Sequence, residues 1–337
     1  MSVRILIGDC RDVLDTIDAC SVHCCVTSPP YFGLRDYGHT AQMGLESTPD
    51  EYVAELVNVF RKVRRVLRDD GTLWLNLGDS YAGNGGVGAH KGEMAGRKHG
   101  AALRSARPGF GDLKPKDLIG IPWRVAFALQ SDGWYLRQDI VWSKPNPMPE
   151  SVTDRCTKAH EYVFLLSKSA TYYCDMDAIK EPLAAASVKR LAQDIENQAG
   201  SDRVPGKTNG RMKAGRFGGG KYGDDDSEML RIKSGNAWKN SSGTRNKRSV
   251  WTIATNPYRE AHFATMAPEL AELCVLAGCP EGGTVIDPFF GAGTTGLVAD
   301  RLQRSAIGIE LNPAYTAIAS ARIYGEAPLF SDVEVAA

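Results

Sequence analysis

Between residues 284 and 302 a short apolar run, Thr284–Ile286, leads through Asp287-Pro288-Phe289-Phe290 into Gly291-Ala292-Gly293-Thr294-Thr295-Gly296, and then into a helical stretch ending near Leu302. A glycine turn between a strand and a helix constrains a chain strongly. It belongs to α/β folds with a mostly parallel sheet, where ligands bind beyond the carboxyl ends of the strands. The spacing matches the dinucleotide fingerprint G-x-G-x-x-G, and Glu310 ends the next strand, Ala306–Glu310, where an acid reaches a ribose.

The residues beside the loop choose among ligands. On the glycines alone, a nicotinamide or flavin enzyme is expected. Asp287 stands immediately before the loop, and a carboxylate there repels a pyrophosphate and attracts a cation. Phe289 and Phe290 are bulky where a dinucleotide site needs a tight turn. S-adenosylmethionine has no phosphate; it carries an ammonium, a sulfonium and a ribose diol. Asp287 suits the ammonium, Glu310 can accept from both hydroxyls of the diol, and the glycines let the backbone approach.

Strand and helix signals alternate elsewhere. Val3–Gly8, Val22–Thr27, Thr72–Leu77, Trp134–Trp142 and Tyr162–Leu166 predict strands, and Asp50–Arg68, Lys116–Ser131, Pro268–Ala277 and Ala314–Tyr324 predict helices. Two stretches break the pattern. Tyr81–Gly111 is glycine-rich and basic, and is expected either as a surface loop or as a loop that closes on a polyanion. Lys plus Arg equals Asp plus Glu at 40 each, so the chain is neutral overall. Ser187–Arg248 nevertheless holds fourteen Lys and Arg against seven Asp and Glu, with Tyr222 and Trp238 interleaved. A solvated linker is the plain expectation for such a stretch; its length and excess charge favour contact with nucleic acid.

None of the eight cysteines forms a Cys-x-x-Cys pair, which argues against a zinc ribbon, and no metal is expected. The apolar run in the first ten residues is too short for a signal peptide, and no run reaches the ~18 residues of a membrane span. A reduced, soluble, cytoplasmic protein without a membrane partner is expected.

The second constellation is Thr27-Ser28-Pro29-Pro30-Tyr31, directly after an apolar strand. Two prolines in series can simply make a rigid turn. Followed by an aromatic residue, in a chain that also carries Asp287–Gly296, they suggest chemistry. Their carbonyls are free acceptors on a stiff backbone, Ser28 adds a hydroxyl, and Tyr31 offers a flat face to a base.

With these residues the chain resembles the amino-methylating DNA methyltransferases, which modify an exocyclic nitrogen of cytosine or adenine. Ser28-Pro29-Pro30-Tyr31 matches their catalytic tetrapeptide, and Asp287-Pro288-Phe289-Phe290-Gly291-Ala292-Gly293-Thr294 matches their cofactor motif. The catalytic motif comes first and the cofactor motif last, as in the permuted beta class. Gly8-Asp9-Cys10, Trp142 to Asn146, His160-Glu161, Ala261 to Thr265 and Gly308 to Pro313 are further matches. The resemblance covers residues 1–80, about 134–170 and 249–325.

The resemblance implies a Rossmann-like, circularly permuted, mostly parallel seven-stranded α/β sheet. Residues 1–174 and 249–325 would form the catalytic domain, 175–248 a target-recognition insert and 326–337 a C-terminal tail. Ser28, Pro29, Pro30 and Tyr31 would be catalytic. Asp9, Cys10, His262, Thr265, Asp287, Phe289, Gly291, Gly293, Thr294, Thr295, Glu310 and Asn312 would hold S-adenosylmethionine. Lys144, Arg211, Lys213, Arg216, Lys221, Lys239, Arg245 and Lys247 would contact DNA. Met266-Ala267-Pro268 stands where the family more often has Phe-Pro, a departure that bears on the 262–265 assignment.

Implied partners are double-stranded DNA, a second copy of the chain and a cognate restriction endonuclease. The target would be the N4 amine of a flipped cytosine, with the N6 amine of adenine as alternative, because Ser in the first position goes mostly with cytosine in the family. Ring-carbon methylation is not expected, since no cysteine follows a proline.

Overall fold

In a computed structural model of the chain, residues 2–34, 39, 41–83, 112–191, 243–255, 265–326 and 332–336 are described. They fall into two units, Met1–Ala178 with Arg248–Ala337, and Ile179–Lys247.

The larger unit alternates strand and helix: β1 (Ser2–Ile7), α1 (Cys10–Thr16), β2 (Val22–Thr27), α2 (Pro49–Val66), β3 (Leu67–Leu77), α3 (Ile121–Ser131), β4 (Tyr135–Ser143) and β5 (His160–Ser167). The smaller unit holds β6 (Glu181–Pro182), α4 (Ala185–Leu191) and β7 (Thr244–Arg245), with β6 and β7 antiparallel. The chain returns to the larger unit with β8 (Val250–Thr252), α5 (Pro268–Gly278), β9 (Thr284–Asp287), α6 (Thr294–Arg301), β10 (Ser305–Glu310), α7 (Pro313–Glu326) and β11 (Asp332–Ala336).

One nine-stranded sheet runs β11-β1-β10-β9-β2-β3-β5-β4-β8. Only β5 is antiparallel to its neighbours, β3 and β4. The expected seven strands form the body of the sheet, and the short β11 and β8 extend its two edges. Residues 332–336, assigned to a tail from sequence, pair in parallel with β1.

Side chains two apart on a strand share a face. Leu73, Leu75 and Leu77 join Leu56, Val59, Phe60 and Val63 of α2 and Val125 and Leu129 of α3 in one buried cluster. On the opposite face, the backbone of Gly278 in α5 lies against Trp74, Cys24 and Thr72; a Cβ there would sit 2.4 Å from Trp74 Nε1. Helices therefore cover both faces, as an almost wholly parallel sheet requires.

Local chemistry sets the helix starts. Thr48 Oγ1 accepts the Glu51 N–H at 3.2 Å while Glu51 Oε2 accepts the Ser47 N–H at 3.0 Å, and Pro49 begins α2. Helix α3 starts at Ile121 and not at Lys116, because Lys116 and Gly120 both hold positive φ, at 75° and 79°. Its first amides are capped from the end of β3, where Asp79 Oδ1 accepts from Gly120 N at 3.0 Å and Ile121 N at 3.1 Å.

The permutation has a direct consequence. From β9 the chain crosses through α6 to β10 on one side, and from β2 it crosses through α2 to β3 on the other. Strands β9 and β2 pair in parallel, Cys24 with Val285 and Cys25 with Ile286, so the point of reversal lies between them. A sheet opens a crevice at such a point, beyond the carboxyl ends of the strands. Among the described residues, no helix is long and apolar enough to cross a membrane.

Candidate active site

The two sequence motifs meet at this crevice. Asp287, the last residue of β9, is 3% exposed. Its Oδ1 accepts from Thr27 Oγ1 at 2.6 Å and Phe289 N at 3.0 Å, and its Oδ2 accepts from Thr295 Oγ1 at 2.7 Å. Burial pushes the Asp287 carboxyl up to about 6, although all these donors favour its ionised form. The carboxylate is thus turned inward and braces the loop, Thr27 and α6 together.

The glycine loop is shaped around this brace. Gly293 caps α6 with φ 74°, and a Cβ on it would lie 2.8 Å from Ala319 Cβ, so loop and α7 touch backbone to side chain. A Cβ on Gly291 would meet only the Phe289 carbonyl oxygen, at 4.0 Å, which leaves that edge of the loop open to a ligand. Phe290 is the buried phenylalanine, wedged against Gly293, Gly296 and Gly308, while Phe289 packs on the edge of the core.

Glu310 ends β10 beside it. Its Oε2 accepts from Gly291 N at 2.7 Å and its Oε1 from Asn312 N at 2.8 Å, and burial raises its affinity for a proton. Asn312 Oδ1 in turn accepts from Ala314 N at the start of α7, at 3.0 Å. Thr294 faces α7 instead of the loop's open edge: its Oγ1 accepts from Arg322 Nη1 at 2.9 Å. Thr295 points into the sheet and bonds Asp287 and the Val26 carbonyl.

Gly8 N donates to the Glu310 carbonyl at 2.9 Å, which sets Asp9 next along the same edge. Asp9 caps α1 and grips Arg11, with 2.6 Å from Arg11 Nη2 to Oδ2. Burial outweighs the other influences on Cys10, whose thiol is pushed up to about 12, so it packs as a neutral side chain. Thr265 is half-buried just ahead of α5, and His262 lies outside the described residues.

These residues fit S-adenosylmethionine. Each Glu310 oxygen accepts one backbone N–H and has a further lone pair for a hydroxyl of a diol. The neighbouring backbone is bare at Gly291, and the buried charge near it is acidic, as a cationic ligand needs.

The tetrapeptide stands one strand away. Tyr52 of α2 donates its hydroxyl to the Pro30 carbonyl at 2.7 Å, which fixes the turn. The Tyr31 ring packs against Gly78, where a Cβ would come within 2.4 Å of Tyr31 Cε2. Its hydroxyl donates to Glu161 Oε2 at 2.7 Å. Asn76, 3% exposed on β3, directs Nδ2 at Tyr31 Oη (3.0 Å), Glu161 Oε2 (3.1 Å) and Ser28 Oγ (3.3 Å). Burial, then the Glu161 charge, hold the Tyr31 phenol well above its ordinary range, so it stays protonated.

Lys144 was expected at the DNA. In the structure its ammonium pairs with Glu161 Oε1 and sits 4.3 Å from the centre of the Trp142 ring. Its fellow candidate Arg245 pairs with Glu181 within the smaller unit at 2.9 Å, and Lys247 is half-buried there. Arg211, Lys213, Arg216, Lys221 and Lys239, with the basic stretch 84–111, lie outside the described residues.

Sequence reasoning missed Asn76, Tyr52 and Asp79, gave Thr27 no role beyond opening the Pro-Pro turn, and met Glu161 only as half of a His-Glu pair. A polar residue inside the apolar run of β3 was the available signal for Asn76; the others act through contacts more than twenty residues away in sequence.

Comparison with known proteins agrees with this arrangement. The family described as DNA methylase, of N6 and N4 amino-methyltransferases, matches residues 22–321. The chain is 44% identical over 322 residues to the Type II methyltransferase M.SmaI of Serratia marcescens, covering 96% of this chain and 91% of that protein. It is also 44% identical over 321 residues to the Type II methyltransferase M.Cfr9I of Citrobacter freundii, covering 95% and 87%. The fold is similar to that of the PvuII DNA methyltransferase (cytosine-N4-specific), with TM-score 0.59, 17% identity and coverage of 99% and 95%. It is similar too to a DNA modification methylase of Thermus thermophilus, solved with S-adenosyl-L-methionine, with TM-score 0.56, 22% identity and coverage of 99% and 100%. A strand-end Ser-Pro-Pro-Tyr beside a glycine cradle, in a sheet of this order, thus has its counterpart in sequence: the chain belongs to the N6/N4 family of DNA methylases, which take their methyl group from S-adenosylmethionine.

Proposed function

We propose that the chain is a Type II methyltransferase that methylates the N4 amine of a cytosine turned out of duplex DNA. The observation that carries this reading is the Thr27–Asp287 hydrogen bond, which holds Ser28 next to the glycine cradle. The Type II relatives, which the chain matches over nearly its whole length, support a sequence-specific duplex target and a cognate restriction endonuclease as cellular partner. Its place of work is then the cytoplasm, on the nucleoid.

S-adenosylmethionine supplies an electrophilic methyl group on a positively charged sulfur. When it is bound, Glu310 would hold the ribose diol, Asp287 would give the loop its negative charge, and Asp9 and Phe289 would border the adenine end. An exocyclic amine is a poor nucleophile because its lone pair is conjugated into the ring. Ser28 Oγ and the Pro29 carbonyl draw its hydrogens out of the ring plane and free the lone pair for in-line attack. Such a step is catalysed by position and electrostatics, with no covalent enzyme intermediate. The base must leave the helix to reach these groups, and Tyr31 gives it a surface to lie against.

Cytosine is favoured by Ser28. In the family that the tetrapeptide resembles, Ser in this position goes mostly with cytosine and Asp with adenine. Both bases present an amine beside a ring nitrogen, and adenine N6 is the second reading. The smaller unit, within the segment 175–248, would read the target sequence. Mass spectrometry of nucleosides from unmethylated DNA incubated with enzyme and donor tests the proposal. N4-methylcytosine is expected; N6-methyladenine alone would move the target to adenine, and no modified amine would end the proposal.

A further inference from the structure

Methylating an amine leaves one hydrogen too many on nitrogen, and a pocket filled by a flipped base has little water to take it. The hydrogen bonds at the tetrapeptide have a direction. Ionised Glu161 can only accept and Lys144 can only donate. The Tyr31 hydroxyl therefore points its hydrogen at Glu161 Oε2, 2.7 Å away, and its oxygen is left to accept. Ser28 Oγ lies 3.4 Å from that oxygen in the donating sense, and Asn76 Nδ2 keeps Ser28, Tyr31 and Glu161 in register at 3.3, 3.0 and 3.1 Å. The Glu161 side chain is 15% exposed and that of Lys144 18%, so the far end of the chain reaches solvent.

We propose that Ser28, Tyr31 and Glu161 form a relay that carries this proton away, with Glu161 as its acceptor. The inference rests on amine methylation at Ser28 and holds for either base. The amine lone pair forms the N–C bond as the S–C bond breaks, and the electrons of the broken bond stay on sulfur. The nitrogen is then cationic. Ser28 Oγ takes its surplus proton and passes its own hydrogen to Tyr31, and Tyr31 passes its hydrogen to Glu161 Oε2. Glu161 becomes a neutral acid beside Lys144 and loses the proton to water. Tyr31 exchanges a hydrogen without ever standing as phenolate, in keeping with a phenol that burial holds protonated.

The groups facing Glu161 are Lys144 just past β4, Tyr31 from the turn after β2, Asn76 from β3 and Lys158 from the segment before β5. Tyr31 and Glu161 act on the amine through Ser28, so their effect is on rate.

Tyr31→Phe keeps the ring and deletes the relay's middle hydroxyl, and Glu161→Gln deletes its acceptor. In single-turnover methylation at saturating donor, each variant is expected to slow transfer by about a hundredfold, the lower end for general acid–base catalysis. Donor affinity should be unchanged, and the double variant should be no slower than either single one. Wild-type rates in Tyr31→Phe or losses that multiply in the double variant would each overturn the relay. If Glu161→Gln does not fold, Tyr31→Phe alone decides. Nucleoside analysis of the wild-type product separates the two proposals: it identifies the base, while the rate pattern judges the relay on whichever base is found. A wild type that methylates no amine overturns both.

Discussion

Thr27 Oγ1 donates to Asp287 Oδ1 at 2.6 Å, joining the end of β2 to the end of β9 across 260 residues of sequence. Each motif alone could belong to many proteins. Together, at the reversal point of a parallel sheet, they set a methyl-accepting turn beside a cradle for a methyl donor.

This buried carboxylate makes stability depend on pH. Asp287 titrates near 6 in the folded protein, above its ordinary value of 3.8. The folded state therefore binds the proton more tightly, and the stabilisation this gives is full below about pH 3.8 and lost as pH rises through about 6. Asp287→Asn keeps the shape and has no charge to bury. Its melting temperature relative to wild type should be higher at about pH 7.5 than at about pH 4.5, and its donor affinity lower. An equal difference at both pH values would show that Asp287 does not titrate in this window.

Glu310 accepts from two backbone amides at once, Gly291 and Asn312. A Glu310→Gln side chain must turn its NH2 toward one of them, donor against donor, which costs about 1–3 kcal/mol. The variant should bind S-adenosylmethionine about tenfold to a hundredfold more weakly by calorimetry. An unchanged affinity would remove Glu310 from the cradle.

Gly78 lies under the Tyr31 ring, and a Cβ there would come within 2.4 Å of Cε2 and 2.9 Å of Cδ2. Gly78→Ala should displace the ring and lower turnover about tenfold or more, as small misplacements in an active site do, while donor affinity holds. Pro29→Ala should show the same split. A parallel loss of donor affinity would make the turn part of the donor site.

The basic segment 187–248 predicts DNA binding that weakens steeply with salt, because neutralised phosphates release counterions. Deleting 187–247 should abolish sequence-specific binding and flatten the salt dependence, with donor binding retained. Methylation of the same sequence by the shortened protein would place recognition elsewhere.

Strands β1, β2, β4, β5, β9 and β10 and helices α2, α5, α6 and α7 were legible within a few residues, because buried parallel strands are short apolar runs and these helices carry an apolar face or a clear start. Elsewhere tertiary contacts set the boundaries. Helix α3 starts five residues later than its pattern, since Asp79 caps it from a distant strand. Strand β3 begins at Leu67, five residues ahead of the expected Thr72, because it pairs with β2 from Val22 onward. The seven-residue α1 is too short to show a period. Residues 332–336 find their structure only against β1.

The sequence by itself determined the parallel α/β class, the donor cradle and the catalytic turn, because each rests on neighbours in the chain: a strand, a glycine turn, a helix; a strand, two prolines, an aromatic. Tertiary structure alone decided that Asp287 braces Thr27, that Lys144 pairs with Glu161, and that Tyr31 lies on Gly78 with its hydroxyl on that carboxylate. Those contacts join β2, β3, β4, β5 and β9, strands scattered through the sequence and brought side by side only by the order of the sheet. Hydrogen bonds and ion pairs act over a few ångströms, and nothing local in a sequence states which distant residues will come that close.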